Sequence, residues 1–234
     1  TDRHAVDSQV LLHGLKPEEA IRVVQSADGR TIDEEAVIAA MTDDVAVALL
    51  PSVLYRSAQL LDMDRLTAAA RSKGIIMGWD LCHSIGAVPH NLKQTGADFA
   101  IWCNYKHLSG GPGAVAGLYI NRRHFGRRPG LAGWHGNVKD TLFQLNHQHE
   151  HAHDVDGWLT GTPPMLSMSA LEGVMNIFKE AGMDKIREKS LKITAYLMYL
   201  IDQRLSRHGF AVGNPREDAR RGGHVALEHD EAYR

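Results

Sequence analysis

Two polar side chains of this sequence follow apolar runs that are typical of buried strands. Asp80 closes the run Ile75–Trp79, and Lys106 follows the run Phe99–Asn104. In a parallel α/β sheet the carboxyl ends of the strands meet at one edge, and ligands bind there. A carboxylate and a lysine at neighbouring strand ends suit pyridoxal 5'-phosphate, because the lysine condenses with the aldehyde and the carboxylate keeps the pyridine nitrogen protonated.

The elements that must position these side chains alternate along the chain. The predicted strands are Val45–Leu50, Ile75–Asp80, Phe99–Asn104 and Leu118–Ile120. The predicted helices are Asp33–Met41, Asp64–Lys73, Ser167–Glu180 and Met183–His208. This alternation predicts βαβ units and an α/β fold, with a mostly parallel sheet flanked by helices. The pattern changes near residue 209, where a soft boundary is expected.

The composition is that of a globular protein and excludes several functions. The 234 residues are 44% hydrophobic and 23% charged, which argues against intrinsic disorder. A net charge of −2 provides no basic field for nucleic acid or an anionic membrane surface, and no apolar run is long enough to span a bilayer. Cys82 and Cys103 suit a reducing, cytoplasmic compartment. Their apolar neighbours predict buried structural cysteines.

Two segments around Asp80 and Lys106 resemble the central motifs of the kynureninase family. They are Trp79–Gly86 and Asp98–Leu108, and the second is the more specific of the two. Further segments resemble the family in the same order, and together they cover nearly the whole chain: 1–4, 9–15, 133–136 and 161–164.

The family has the aspartate-aminotransferase fold of fold type I pyridoxal-phosphate enzymes. The resemblance therefore implies a cofactor-binding large domain at 1–208 and the beginning of a small C-terminal α+β domain at 209–234. Family segments on both sides have no counterpart here, and the sequence starts at Thr1 rather than at a methionine. We therefore expect the central part of a longer protein.

The resemblance also implies a role for each matching residue at the reaction centre. Lys106 would be the Schiff-base lysine and the proton carrier at the substrate carbon. Asp80 would pair with the pyridine nitrogen. Tyr105 would bond the phosphate and assist proton transfer.

Five positions complete the implied cofactor site. Asp2 and His83 would lie against the cofactor ring, and Ser52 would contact the cofactor. Trp134 and Thr162 resemble residues that reach the phosphate from the neighbouring subunit. The resemblance thus implies a homodimer with shared active sites.

The implied reaction is the hydrolysis of L-kynurenine, or its 3-hydroxy form, to anthranilate, or 3-hydroxyanthranilate, and L-alanine. Two alternatives remain open. One is a related enzyme such as a cysteine desulfurase or a class V aminotransferase, although a desulfurase would carry histidine where Tyr105 precedes the lysine. The other is an inactive truncated product.

Alternating histidines at 147, 149, 151 and 153 are a further feature of the sequence. On a strand their imidazoles would share one face, and histidine pairs can bind zinc. The surrounding polar residues favour an exposed loop instead, and no metal site is expected there.

Overall fold

A computed structural model describes residues 2–232 of the chain. Thr1, in the first family-like segment, and Tyr233 and Arg234, at the end of the sequence, lie outside the described residues.

A four-stranded sheet forms the centre of the fold. Its strands are β1 (Val47–Pro51), β2 (Ile76–Asp80), β3 (Phe99–Trp102) and β4 (Gly117–Ile120), in spatial order β1-β2-β3-β4. The first three strands are parallel, and β4 runs antiparallel to β3. The prediction of a mostly parallel sheet is therefore confirmed.

The helices are α1 (Asp2–Leu12), α2 (Pro17–Ala20), α3 (Glu34–Ala40), α4 (Met63–Ser72), α5 (Leu92–Thr95), α6 (Met165–Ala181) and α7 (Met183–Leu200). Asp33 caps α3 by accepting from the Glu35 amide, and Asp62 caps α4 by accepting from the Arg65 amide. These caps satisfy amides that the first helical turn leaves without a partner. The predicted bounds of both helices agree with the structure to within a residue or two.

The core lies between β2 and the helices α3 and α4. Trp79 is fully buried and donates from Nε1 to Thr67 Oγ1 at 3.0 Å, while Leu66 and Met77 pack in the same cluster. Burial of each such large apolar side chain contributes about 1.5–3 kcal/mol. Packing on this scale holds β2, and therefore Asp80 at its end, in a fixed position.

The C-terminal part of α7 departs from the predicted regular helix. The α-helix ends at Leu200, a π-helical turn follows at Ile201–Leu205, and a 3-10 turn follows at Ser206–His208. Gly209 then adopts a φ of 84° and reverses the chain. A small antiparallel sheet follows, formed by β5 (Ala211–Val212) and β6 (Leu227–Glu228).

Between these two short strands, residues 218–224 return to the large sheet; we call them the return segment. Arg187 of α7 donates to the carbonyls of Asp218, Arg221 and Gly222 at 2.9, 2.7 and 3.0 Å. The Gly222 amide donates to the Ala58 carbonyl at 2.7 Å. The return segment is therefore anchored on both α7 and the loop after β1.

Arg221 is 1% exposed and its guanidinium donates to Thr194 Oγ1 and, at 2.5 Å, to Asp218. Arg220 forms an ion pair with buried Glu34 at 2.7 Å. Both guanidinium groups are thus engaged in holding the return segment.

Candidate active site

The ends of β2 and β3 bring the predicted reaction centre together. Asp80 is the last residue of β2, and the turn after it carries His83, while Lys106 follows β3. Lys106 Nζ lies 3.1 Å from His83 Nε2. Gly86 adopts a φ of 81°, and a side chain there would lie 3.0 Å from the His107 backbone. The turn and the lysine loop therefore pack backbone to backbone.

Asp80 is buried without a cationic partner. Its side chain accepts from the Cys82 amide at 2.8 Å, and the residue is 9% exposed. Within residues 2–232 it forms no ion pair with a lysine or arginine. Buried charges in proteins are normally paired, so this carboxylate is arranged to meet a positive charge that the described chain does not supply.

The loop that carries Lys106 is fixed by Asn104, which is 6% exposed. Its Oδ1 accepts from Trp102 Nε1 at 2.9 Å, and its Nδ2 donates to the Val115 carbonyl at 2.6 Å. Its own carbonyl accepts from the Gly110 amide at 2.8 Å. Asn104 thus ties the end of β3 to both sides of the glycine-rich turn that follows Lys106, through its backbone carbonyl to Gly110 and through its side chain to Val115.

The surroundings shift the pKa values of both interacting groups. Burial, followed by the charges of Lys106 and His224, lowers the pKa of His83, so His83 is neutral at neutral pH. Burial also opposes the charged form of Lys106, but the ionised forms of Cys103, Cys82 and Tyr105 outweigh it and raise the pKa of Lys106. Lys106 is therefore an ammonium in the free chain.

Ser52 lies beside Asp80, but its hydroxyl is fully buried. Ser52 Oγ is 2.6 Å from Ser84 Oγ, and His90 Nε2 lies 2.7 Å from the same Ser84 oxygen. The Ser52 amide donates to the Asp80 carbonyl at 2.9 Å. In this arrangement Ser52 supports the end of β2, and the predicted contact of its side chain with a cofactor stays a prediction.

Pyridoxal phosphate fits the residues at this site. Its aldehyde matches the amine of Lys106, and its protonated ring nitrogen supplies the positive charge that the buried Asp80 carboxylate lacks. His83, on the turn after β2, lies 3.1 Å from Lys106 Nζ. The donor set thus agrees with the cofactor that the sequence predicted.

Three residues at the site were not among the predicted ones. The rings of Tyr55 and His224 lie 5.9 and 6.1 Å from that of His83, and His224 Nε2 is 3.0 Å from the Tyr55 carbonyl. His107 is half-buried, and burial, followed by the charge of His224, lowers its pKa. His224 belongs to the return segment, so only the tertiary fold brings it next to His83. In the sequence, the two glycines before His224 indicated only a loop.

Four predicted residues lie on the surface or away from this centre. Tyr105 is 53% exposed, with Lys106 Nζ 5.4 Å from its ring centroid. Asp2 begins α1, which packs mainly against α2. Trp134 begins the 3-10 turn Trp134–Gly136, and its ring makes an edge-to-face contact with Phe143. Thr162 is exposed just before α6. The roles of these residues stay predictions.

The two cysteines differ from expectation. Both are free thiols and both are partly exposed, whereas their apolar neighbours predicted burial. The strands β2 and β3 end at Asp80 and Trp102. The two cysteines therefore lie just beyond the carboxyl ends of the strands, where they are partly exposed.

The alternating histidines lie in an irregular segment rather than on a strand. Only His151 makes an isolated bridge, with Asn137. The His149 and His153 rings lie 6.1 and 6.4 Å from the His151 ring. Across residues 2–232 no group of three or more histidine, cysteine or carboxylate side chains is arranged to hold a metal ion.

Comparison with solved structures defines the class of fold. The apo cysteine desulfurase from Thermococcus onnurineus matches with a TM-score of 0.77 at 19% identity, over 96% of this chain and 53% of that one. A C-DES mutant with glycine covalently linked to its PLP cofactor matches with a TM-score of 0.79 at 15% identity, over 97% and 58%. The chain has the aspartate-aminotransferase-like fold of fold type I pyridoxal-phosphate enzymes, as predicted.

Sequence comparison narrows the similarity to kynureninase. All 234 residues align with the kynureninases of Geobacillus thermodenitrificans, at 52% identity, and Bacillus thuringiensis subsp. konkukian, at 55%. The family model of the kynureninase C-terminal domain matches residues 186–234. The resemblance seen in the motifs is therefore confirmed along the whole chain, which spans 55% of the length of these relatives.

One further finding concerns membranes. No helix in the described part of the chain is long and apolar enough to cross one.

Proposed function

We propose that this chain forms the cofactor-binding part of a kynureninase. The reaction is the hydrolysis of the Cβ–Cγ bond of L-kynurenine, or 3-hydroxy-L-kynurenine, to anthranilate, or 3-hydroxyanthranilate, and L-alanine. The observation that carries the proposal is the buried Asp80 carboxylate at the end of β2, followed by the turn whose His83 lies 3.1 Å from Lys106, in a chain 52–55% identical to kynureninases. Desulfurases share the fold at 19% identity, which supports the fold alone.

Pyridoxal 5'-phosphate, when bound, supplies an electron sink for negative charge that develops at the substrate carbon beside the amine. Lys106 would hold its aldehyde carbon and would carry the proton at the substrate α-carbon. Asp80 holds the proton on the ring nitrogen by its charge. His83 packs against the ring face. Because His83 is uncharged at neutral pH, it does not compete with the ring for Asp80.

The remaining predicted residues complete the proposed cofactor site. Tyr105 bonds the phosphate, Ser52 and Asp2 contact the cofactor, and Trp134 and Thr162 reach it from a second copy of the chain. Exposure of Trp134, at 44%, and of Thr162 supports a role at a subunit interface. We propose a cytoplasmic homodimer with shared sites, and a large domain that ends near residue 208.

Borohydride reduction in the presence of pyridoxal phosphate tests the cofactor assignment. The purified protein should acquire one stable label on the peptide that contains Lys106, and Lys106→Ala should acquire none. Lys93→Ala, which removes an exposed lysine of α5, is the matched control and should label normally. Labelling elsewhere, or equal labelling of both variants, would refute the assignment.

The substrate assignment is tested separately by incubating the loaded protein with L-kynurenine and with L-cysteine. Anthranilate and alanine should form from kynurenine, and no sulfide should form from cysteine. Sulfide without anthranilate would instead establish the desulfurase alternative. A labelled protein that turns over neither amino acid would support the truncated, inactive alternative.

A further inference from the structure

Cys82 and Cys103 face each other across the ends of two adjacent strands. The β2–β3 ladder pairs Asp80 with Ile101, and the Leu81 amide extends it by donating to the Ile101 carbonyl at 2.8 Å. At the next position the Cys103 amide donates to Cys82 Sγ at 3.2 Å. The sulfur of one cysteine thus contacts the backbone of the other. Cys82 and Cys103 are separated along the chain by the same number of residues as the paired strand residues Asp80 and Ile101.

This spacing suits a disulfide. Neighbouring strands are about 4.8 Å apart, and disulfides join Cα atoms about 4.4–6.8 Å apart. The contact between Cys82 Sγ and the Cys103 amide continues this pairing just beyond the strand ends. Both thiols are free and partly exposed, so a small oxidant can reach them.

The two thiols have different surroundings. Burial, the Asp80 carboxylate and contact with the Cys103 thiol raise the pKa of Cys82 to about 12, so Cys82 remains a thiol. The Cys103 side chain instead lies against the amine of Lys106, and the thiolate is the form of a cysteine that reacts with peroxides. One cysteine is placed to react first and the other to follow.

We propose that Cys82 and Cys103 are a reversible disulfide site that responds to hydroperoxides. The Cys103 sulfur attacks hydrogen peroxide, the O–O bond breaks, and Cys103 becomes a sulfenic acid as water leaves with the thiol proton. The Cys82 sulfur then attacks the Cys103 sulfur, the S–O bond breaks, and water leaves with the Cys82 proton. Two thiols have lost two electrons, and the peroxide has taken them up.

Mass spectrometry of the peroxide-treated protein tests this directly. The treated chain should be two hydrogen atoms lighter, and one cross-linked peptide should join the segments that contain Cys82 and Cys103. Dithiothreitol should restore the original mass and both thiols. Non-reducing gels should show no disulfide between chains.

Two serine variants assign the order of the steps. Cys82→Ser should accumulate a sulfenic acid at Cys103 that dimedone traps, and Cys103→Ser should remain reduced under the same treatment. The proposal is refuted if wild-type protein forms only sulfinic acid, links separate chains, or resists peroxide while its unfolded form is oxidised. These readings need neither cofactor nor substrate, so they are independent of the proposed function.

Discussion

Asp80 is a carboxylate that folding buries without a lysine or arginine partner among residues 2–232. An isolated buried charge lowers stability, so a purely structural reading gives no reason for aspartate at this position. The neighbouring Cys82 amide satisfies one oxygen, and the rest of the charge is available to a bound group. This agrees with the proposal that Asp80 and Lys106 serve the same bound group, although they form no ion pair with each other.

Replacing Asp80 with asparagine separates function from stability. We expect Asp80→Asn to keep its borohydride label at Lys106 but to release anthranilate about 10²–10³ times more slowly, because a preorganised charge at the reacting group is lost. The midpoint of urea unfolding should stay the same or rise, since an unpaired buried charge has been removed. Asp43→Asn, on an exposed loop, should match the wild type in all three measurements. A large loss of stability in Asp80→Asn would favour a structural role.

His90, which contacts Ser84 in the turn after β2, provides a test of how stability depends on pH. Burial lowers its pKa from 6.5 to about 4, while its ring contacts Ser84. Between these two pH values the unfolded chain binds a proton that the folded chain does not. The stability that neutral His90 provides is therefore complete above pH 6.5 and is lost as the pH falls towards 4.

The shift in the pKa of His90 corresponds to roughly 3 kcal/mol. The free energy of unfolding of His90→Gln should consequently fall less between pH 6.5 and 4 than that of the wild type, by up to this amount. Urea titrations at several pH values measure the difference. His147→Gln, at an exposed position, should keep the wild-type slope, and identical slopes for all three proteins would contradict the assignment.

Asn104 determines how the lysine loop joins β3. Its side chain satisfies an indole N–H and a carbonyl that the fold buries. Removal of one partner leaves such groups without a hydrogen bond, which costs about 1–3 kcal/mol. Positional freedom of Lys106 should increase at the same time, because the loop loses its tie to Val115.

Asn104→Ala should therefore lower the free energy of unfolding by about 1–3 kcal/mol and reduce the fraction of Lys106 that borohydride traps at limiting pyridoxal phosphate. Chemical denaturation and peptide mapping give the two readings. Asn146→Ala removes an exposed amide of a surface turn and serves as the control. Normal trapping in Asn104→Ala would show that the loop is held by other contacts.

The elements show which sequence patterns were informative. Short apolar runs identified β1, β2 and β3 because buried parallel strands are apolar on both faces. Helix α1 was not anticipated, since it buries none of its residues and so has no apolar periodicity to detect. The π-helical turn after Leu200 was also missed, because residues 183–208 recur with the periodicity of one continuous helix.

The surface of the whole molecule bears on the proposed dimer. Helix α6 buries none of its 17 residues, and it exposes apolar side chains. Met165 and Leu166, for example, are 71% and 92% exposed. Apolar surface of this extent is typical of an interface. It directly follows the segment that holds Trp134 and Thr162, the residues proposed to serve a neighbouring site.

Mixing two inactive variants tests whether sites are shared. One chain carries Lys106→Ala, and the other carries Trp134→Ala with Thr162→Ala. Each homodimer should be inactive, but a hybrid dimer contains one intact site, so an equal mixture should recover about a quarter of wild-type anthranilate release. Failure to recover activity after refolding the mixture would indicate that each chain builds its own site.

The sequence by itself determined the four strands of the large sheet, the helices α3, α4, α6 and α7, the positions of Asp80 and Lys106 at or just after strand ends, and the similarity to kynureninase. These features depend on local patterns and on residues that are close together along the chain. Only the tertiary structure placed His224 beside His83, brought Cys82 and Cys103 together, and left Asp80 without a cationic partner within residues 2–232. Such contacts join residues from separate elements, and the packing of the return segment on α7 and the sheet decides them.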